Sequence, residues 1–139
     1  MAITSHSQPV VRPEAIRYVL PFRGLSLAAI AQVGGKNASL GEMISALADC
    51  GIRVPDGFAL TADAFRLHLS EAGLDRTIYD ELDHLDLADV TALGAIASSI
   101  RERVAAAPLP TPVWQAVLAA YGALSRTWGE DATDVAVRS

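Results

Sequence analysis

The stretch of this chain richest in chemical potential runs Val33-Gly34-Gly35-Lys36-Asn37-Ala38-Ser39-Leu40-Gly41-Glu42-Met43. Two adjacent glycines let a backbone come close to a phosphate, and a lysine beside them adds a mobile positive charge. A helix starting just afterwards would present N–H groups that have no acceptor in their own helix. Together these suit the binding of an anion, above all a phosphate. The same pattern also suits a plain helix-capping turn, and residue types alone leave both readings open. It is not a Walker A loop: the earlier glycine is misplaced, and Asn37 stands where Ser or Thr should follow the lysine.

Other residues with chemical potential are more scattered. Seven acids fall between Glu71 and Asp89 against one base, Arg76, without the spacing of a metal loop. None of His6, His68 and His84 sits in a glycine- or threonine-rich run, and a lone histidine such as His68 has no mechanism without an orienting partner. His68, in an apolar run, reads as packed or partly exposed. Cys50 reads as a small buried residue beside a helix-ending glycine.

These residues must be held by local elements. Tyr18-Val-Leu-Pro-Phe22 reads as an edge strand, because Pro21 needs a position where no backbone donor is used. A short helical turn over 25–31 should end at the Gly34-Gly35 pair. Leu40, Met43, Ile44 and Leu47 then make one apolar stripe of a helix, with Ser39 and Glu42 at capping-box spacing and Gly51 as its stop. Residues 52–60 read as an extended segment interrupted by Pro55-Asp56-Gly57. Thr61 is an N-cap for a helix that Gly73 ends, and 71–89 is a solvated connector with a short helix.

A longer helix is expected over about 89–107, stopping before Pro108. Thr111-Pro112 opens the next as cap and first-turn proline, with Val113, Val117, Ala120, Tyr121, Leu124 and Trp128 as its apolar stripe. That helix is uncharged all round until Arg126, so it either packs on both sides or waits for a partner. Asp134-Val-Ala-Val-Arg-Ser139 alternates as a strand would. The fold class expected is α/β in the α+β sense, helix-rich, with four or five helices and a few short strands.

Composition bounds the function. The 139 residues are 51% hydrophobic and 19% charged, with a net charge of -5. One domain with a real core is expected, and a disordered acidic tail is excluded. The acidic balance argues against a nucleic-acid partner. Cys50 is the only cysteine, so no disulfide scaffold exists and a reducing compartment fits. The first ten residues lack the basic start and apolar run of a secretory signal, and the cytoplasm is the expected location. The uncharged stretch Val104 to Ser125 contains Pro108, Pro110 and Pro112, which rule out one membrane-crossing helix. Ten of the eleven basic residues are arginine, and Lys36 is the only lysine.

The run GGKNASLGEM, followed after a short helix by GIRVPDGFALTADAFRLHL, closely resembles the N-terminal nucleotide-binding domain of the pyruvate phosphate dikinase and PEP-utilising family. The resemblance covers about 18–139, and the closing Val137-Arg138-Ser139 is similar to the start of that family's V-R-S-S-A-T segment. The Asn-Ala-Ser version of the run favours the synthase branch over the dikinase branch, whose run is closer to GGKGANLAEM.

That resemblance implies the N-terminal part of an ATP-grasp domain at 18–139, cut at its C-terminal end, behind a flexible leader at 1–17. It implies ATP and Mg2+ as cofactors, with the metal ligands outside this chain. Lys36 matches the family's phosphate-contacting lysine and Arg138 its V-R-S arginine, while Arg101 matches a third basic position. Gly34 and Gly35 belong to the same nucleotide site, and no catalytic residue falls within the chain. The residues alone also allow Arg101 to be a solvated arginine paired with acids a turn away. The implied reaction turns ATP, pyruvate and water into AMP, phosphoenolpyruvate and phosphate through a phosphohistidine on another domain. Pyruvate would bind only through absent domains, against which, or against a second copy, this chain would pack. The alternatives are a non-catalytic partner-binding module of the same fold, another dikinase, or an antibiotic phosphotransferase of the family.

Overall fold

A computed structural model describes residues 17–86 and 88–138. The element order is β1 (Val19–Pro21), a 3-10 turn (Leu27–Ala29), α1 (Ile30–Asp49), β2 (Phe58–Leu60), α2 (Ala62–Glu71), α3 (Leu74–Asp83), α4 (Val90–Ala106) and α5 (Thr111–Trp128). This is a helix-rich α+β arrangement around a two-stranded antiparallel sheet.

In that sheet Val19 faces Leu60, Leu20 faces Ala59 and Pro21 faces Phe58. The pairing extends at both ends, with Phe22 N donating to Gly57 O at 2.9 Å and Thr61 N to Tyr18 O at 3.0 Å. The hydrogen-bonding positions are therefore Tyr18, Leu20 and Phe22. Pro21 falls between them, where its missing N–H is not needed.

Thr61 joins the sheet to α2. Its hydroxyl donates to Arg17 O at 2.8 Å and accepts from Ala64 N at 3.2 Å, so one buried oxygen ties the chain's first described residue to the start of a helix. Thr61→Val keeps the shape and removes both bonds, stranding the Ala64 N–H. A loss of about 1–2 kcal/mol in urea unfolding is expected.

The core is small. Leu25, Val33, Ala38 and Ala59 are buried together, with Leu20, Phe22 and Ala29 packed against them. Ile44, Ala64 and Val113 are buried elsewhere. The expected stripe of α1 is only partly inward: Ile44 is buried, while Met43 is exposed because Ala38 and Gly41 share the inner face.

The remaining helices form an outer tier. Gly73, at φ 65°, ends α2 and lets α3 begin at the next residue, so the acidic connector is largely helical. The Arg103 guanidinium grips both oxygens of Glu81, at 2.9 and 2.5 Å, and joins α3 to α4. His68 joins α2 to α4: Val104 O can only accept, so His68 Nε2 carries the proton at 3.0 Å. Asp89 caps α4 through Ala92 N at 2.9 Å. The chain beyond α5 folds back on it, with Tyr121 Oη donating to Thr133 O at 2.8 Å and Thr133 N to Ser125 Oγ at 3.2 Å.

Several local expectations need correction. Thr111 is the first helical residue of α5 and Pro110 occupies the cap, a shift of one position. Cys50 is exposed, at the C-cap of α1 just before the left-handed turn at Gly51. Residues 134–138 form no strand: the alternation is present, but no neighbouring strand pairs with it among the described residues. Ser139 and all but Arg17 of the expected leader at 1–17 lie outside the described residues.

No residue of α4 is buried, and on α5 Trp114, Leu118 and Trp128 are each about half exposed. Among the described residues no helix is long and apolar enough to cross a membrane.

Candidate functional site

The Gly34-Gly35-Lys36 run forms a break inside α1. Gly34 has φ 77° and ψ 160°, a backbone conformation open essentially to glycine alone. A Cβ there would meet nothing within 4 Å, so the requirement comes from the backbone and not from space. The helix stops at Val33 and restarts at Gly35. The first-turn N–H groups of the restarted helix therefore have no acceptor behind them in that helix.

The rest of the run holds this break in place. Asn37 Nδ2 donates to Val33 O at 2.8 Å, the last carbonyl before the break. Ala38 is fully buried in the core. Gly41 lies against the turn Phe22–Leu25, itself closed by Leu25 N donating to Phe22 O at 3.0 Å. Glu42 Oε2 accepts from Leu27 N at 2.9 Å, and Ser26 Oγ accepts from Ala28 N at 3.3 Å, so both cap the 3-10 turn that leads into α1.

This corrects the capping-box expectation. The second half of α1 begins at Gly35, so Ser39 lies inside it, and Glu42 serves the N-terminus of the preceding turn instead. Sequence reasoning missed the roles of Asn37, Gly41 and Glu42. The signal available was the unexplained Asn37 after the lysine, which spacing rules read only as a departure from a Walker loop.

Gly34 also lines a cleft of about 460 Å³, bounded by Gln32, Leu60, Phe65, His68 and Leu109. Lys36 is exposed at the break. Arg101 is exposed on α4 and makes no ion pair among the described residues; the pairing in that helix belongs to Arg103. Arg138 is exposed in the irregular segment after α5. The structure thus gathers Gly34, Gly35 and Lys36 in one feature and carries Arg101 and Arg138 on two other segments. Among the described residues no three His, Cys, Asp or Glu side chains come together as a metal site. Glu42, the carboxylate of the run itself, is already engaged with Leu27 N. These residues do not fit a magnesium ion.

Residues 30–139, from the first residue of α1 onward, match the pyruvate phosphate dikinase, AMP/ATP-binding domain. The chain belongs to that family. Within it, the chain is similar to the phosphoenolpyruvate synthase of Deinococcus radiodurans, at 48% identity over 121 residues, covering 87% of this chain and 15% of the relative. It is also similar to the phosphoenolpyruvate synthases of Pseudomonas aeruginosa, at 44% over 124 residues, and Escherichia coli, at 41% over 121 residues. These alignments cover 89% and 87% of this chain and 15% of each relative. The chain therefore spans about 15% of the length of these dikinase-family relatives. The broken helix that carries Lys36 lies wholly inside the matched AMP/ATP-binding region.

Proposed function

We propose that this chain is part of the ATP site of a phosphoenolpyruvate synthase, built as the N-terminal part of an ATP-grasp domain over 18–139. The observation that carries the reading is the glycine-only break at Gly34, which sets exposed Lys36 in the first turn of a restarted helix within the matched AMP/ATP-binding region. Phosphoryl transfer asks little covalent work of a protein and much charge placement, so a cation beside first-turn N–H groups suits a polyphosphate. In this reading Lys36 and Arg138 contact ATP phosphates, Arg101 adds a third positive group, and Gly34 and Gly35 let the backbone approach.

The whole enzyme would pass the β-phosphoryl group of ATP to a carrier histidine, with water taking the γ-phosphate. The carrier would then phosphorylate pyruvate, giving AMP, phosphoenolpyruvate and phosphate overall. Magnesium accompanies ATP, held by residues outside those described. The half-exposed apolar residues of α5 support packing of this chain against further polypeptide, and a cytoplasmic setting accords with an exposed thiol at Cys50.

The test is a calorimetric titration of the 139-residue chain with Mg·ATP and, separately, with inorganic triphosphate. Saturable binding of both, weakened by added salt, is expected. No heat and no protection of the chain by either ligand would overturn the assignment of a phosphate site to these residues.

A further inference from the structure

We infer that Asn37 is a positioning residue of this site, acting through the helix break and not by touching the nucleotide; the inference rests on the ATP-site reading above. In an unbroken helix the backbone N–H of residue 37 would donate to the carbonyl of residue 33. At this break the side-chain amide takes that acceptor, with Asn37 Nδ2 at 2.8 Å from Val33 O. One side chain thus bridges the two halves of α1 across Gly34, the residue whose φ of 77° separates them.

The arrangement is held from the other side as well. Glu42 Oε2 accepts from Leu27 N at 2.9 Å, anchoring the turn that feeds the first half. Between the two clamps stand Gly34, Gly35 and Lys36, all exposed. The residue types are selective. Aspartate at 37 matches asparagine in size but offers no donor when ionised, alanine offers nothing, and serine can donate to a carbonyl four residues back. One N–H of the Asn37 amide is spent on Val33 O, which fixes the amide against the break, so its effect on a bound phosphate runs through the set of that break.

The experiment uses the 139-residue chain with Asn37→Ala, Asn37→Asp and Asn37→Ser, with Glu42→Gln as a second clamp variant. Amide 15N–1H shifts of Gly34, Gly35 and Lys36 are read without ligand, alongside the urea midpoint, and dissociation constants are then measured for Mg·ATP. Asn37→Ala and Asn37→Asp are expected to move those three amides and weaken Mg·ATP about five- to tenfold, with Asn37→Ser recovering to about twofold of wild type. Glu42→Gln, which retains an acceptor, should stay within about twofold. Affinities of the alanine and aspartate variants within twofold of wild type would overturn the inference. So would weakened binding with the three amides unmoved, because that result makes Asn37 a direct contact. If wild type itself binds no Mg·ATP, the ATP-site reading fails and the positioning role falls with it. The amide shifts then still decide separately whether Asn37 holds the break.

Discussion

Lys36→Ala is expected to weaken Mg·ATP about 10- to 100-fold while leaving the urea midpoint almost unchanged. A hydrogen bond to a charged group carries about 1.5–3 kcal/mol, which is that range of affinity. The side chain is exposed, and an exposed interaction contributes little to stability, about 1 kcal/mol or less. Lys36→Arg keeps the charge but changes its shape and reach, so it should recover only part of the loss. A second signature is salt: the wild-type affinity should fall steeply with ionic strength, and the alanine variant's more gently. An alanine variant whose dissociation constant stays within twofold of wild type would remove Lys36 from the site. Arg101→Ala and Arg138→Ala, measured in the same way, rank the two arginines against it.

The second large effect is on folding. Gly41→Ala is expected to destabilise the chain by about 2–3 kcal/mol, because overpacking a tight contact forces side chains and backbone to move. A Cβ at Gly41 would lie 2.4 Å from Leu25 Cβ and 2.9 Å from the carbonyl oxygens of Leu25 and Phe22. Two of those three atoms are backbone, which has little freedom to give. Leu25 is itself a member of the small core, so the displacement propagates into Val33 and Ala59. Against a total stability of order 5–10 kcal/mol for a domain of this size, such a loss is large. Gly94→Ala supplies the contrast: it sits within α4 with nothing within 4 Å of its Cβ, and should stabilise by about 0.5–1 kcal/mol. Urea unfolding followed by circular dichroism reads both signs in one experiment. A change under 0.5 kcal/mol for Gly41→Ala would show that the turn 22–25 does not need its close seat on α1.

Features decided within a few residues were legible in the sequence. Thr61 caps α2, and Gly51 ends α1 with Ile52 N donating to Leu47 O at 2.9 Å, each set by neighbours one turn away. The two strands and the helix-rich class were readable for the same reason. Pro21 in particular announces a position off the hydrogen-bond ladder. The break at Gly34 was readable as a glycine pair, though the side chains that hold it were not. Glu42 caps Leu27, 15 residues back, whereas spacing rules look three residues away and find Ser39. Gly41 is required by Leu25 and Phe22, which only the folded chain brings beside it. The alternation of Val135 and Val137 is a real pattern, but a strand exists only with a hydrogen-bonded neighbour, and local sequence does not say whether one is there. The positions of Arg101 and Arg138 relative to Lys36 are likewise set by how three distant segments pack.

The pairing of β1 with β2 also sets an order of events during synthesis. Arg17 and Thr61 are bonded across 44 residues, and the whole GGKNASLGEM run lies inside the loop that this contact closes. Both halves of α1 can coil as soon as they leave the ribosome, since helical bonds are local. Their burial must wait until Ala59 emerges, because Ala59 is the far-side member of the core around Leu25, Val33 and Ala38. The nascent chain therefore carries its glycine turn in a coiled, unclosed state for about twenty residues of translation after Asn37. The site becomes rigid only when Leu60 and Thr61 arrive to shut the loop, a closure whose entropic cost is met all at once.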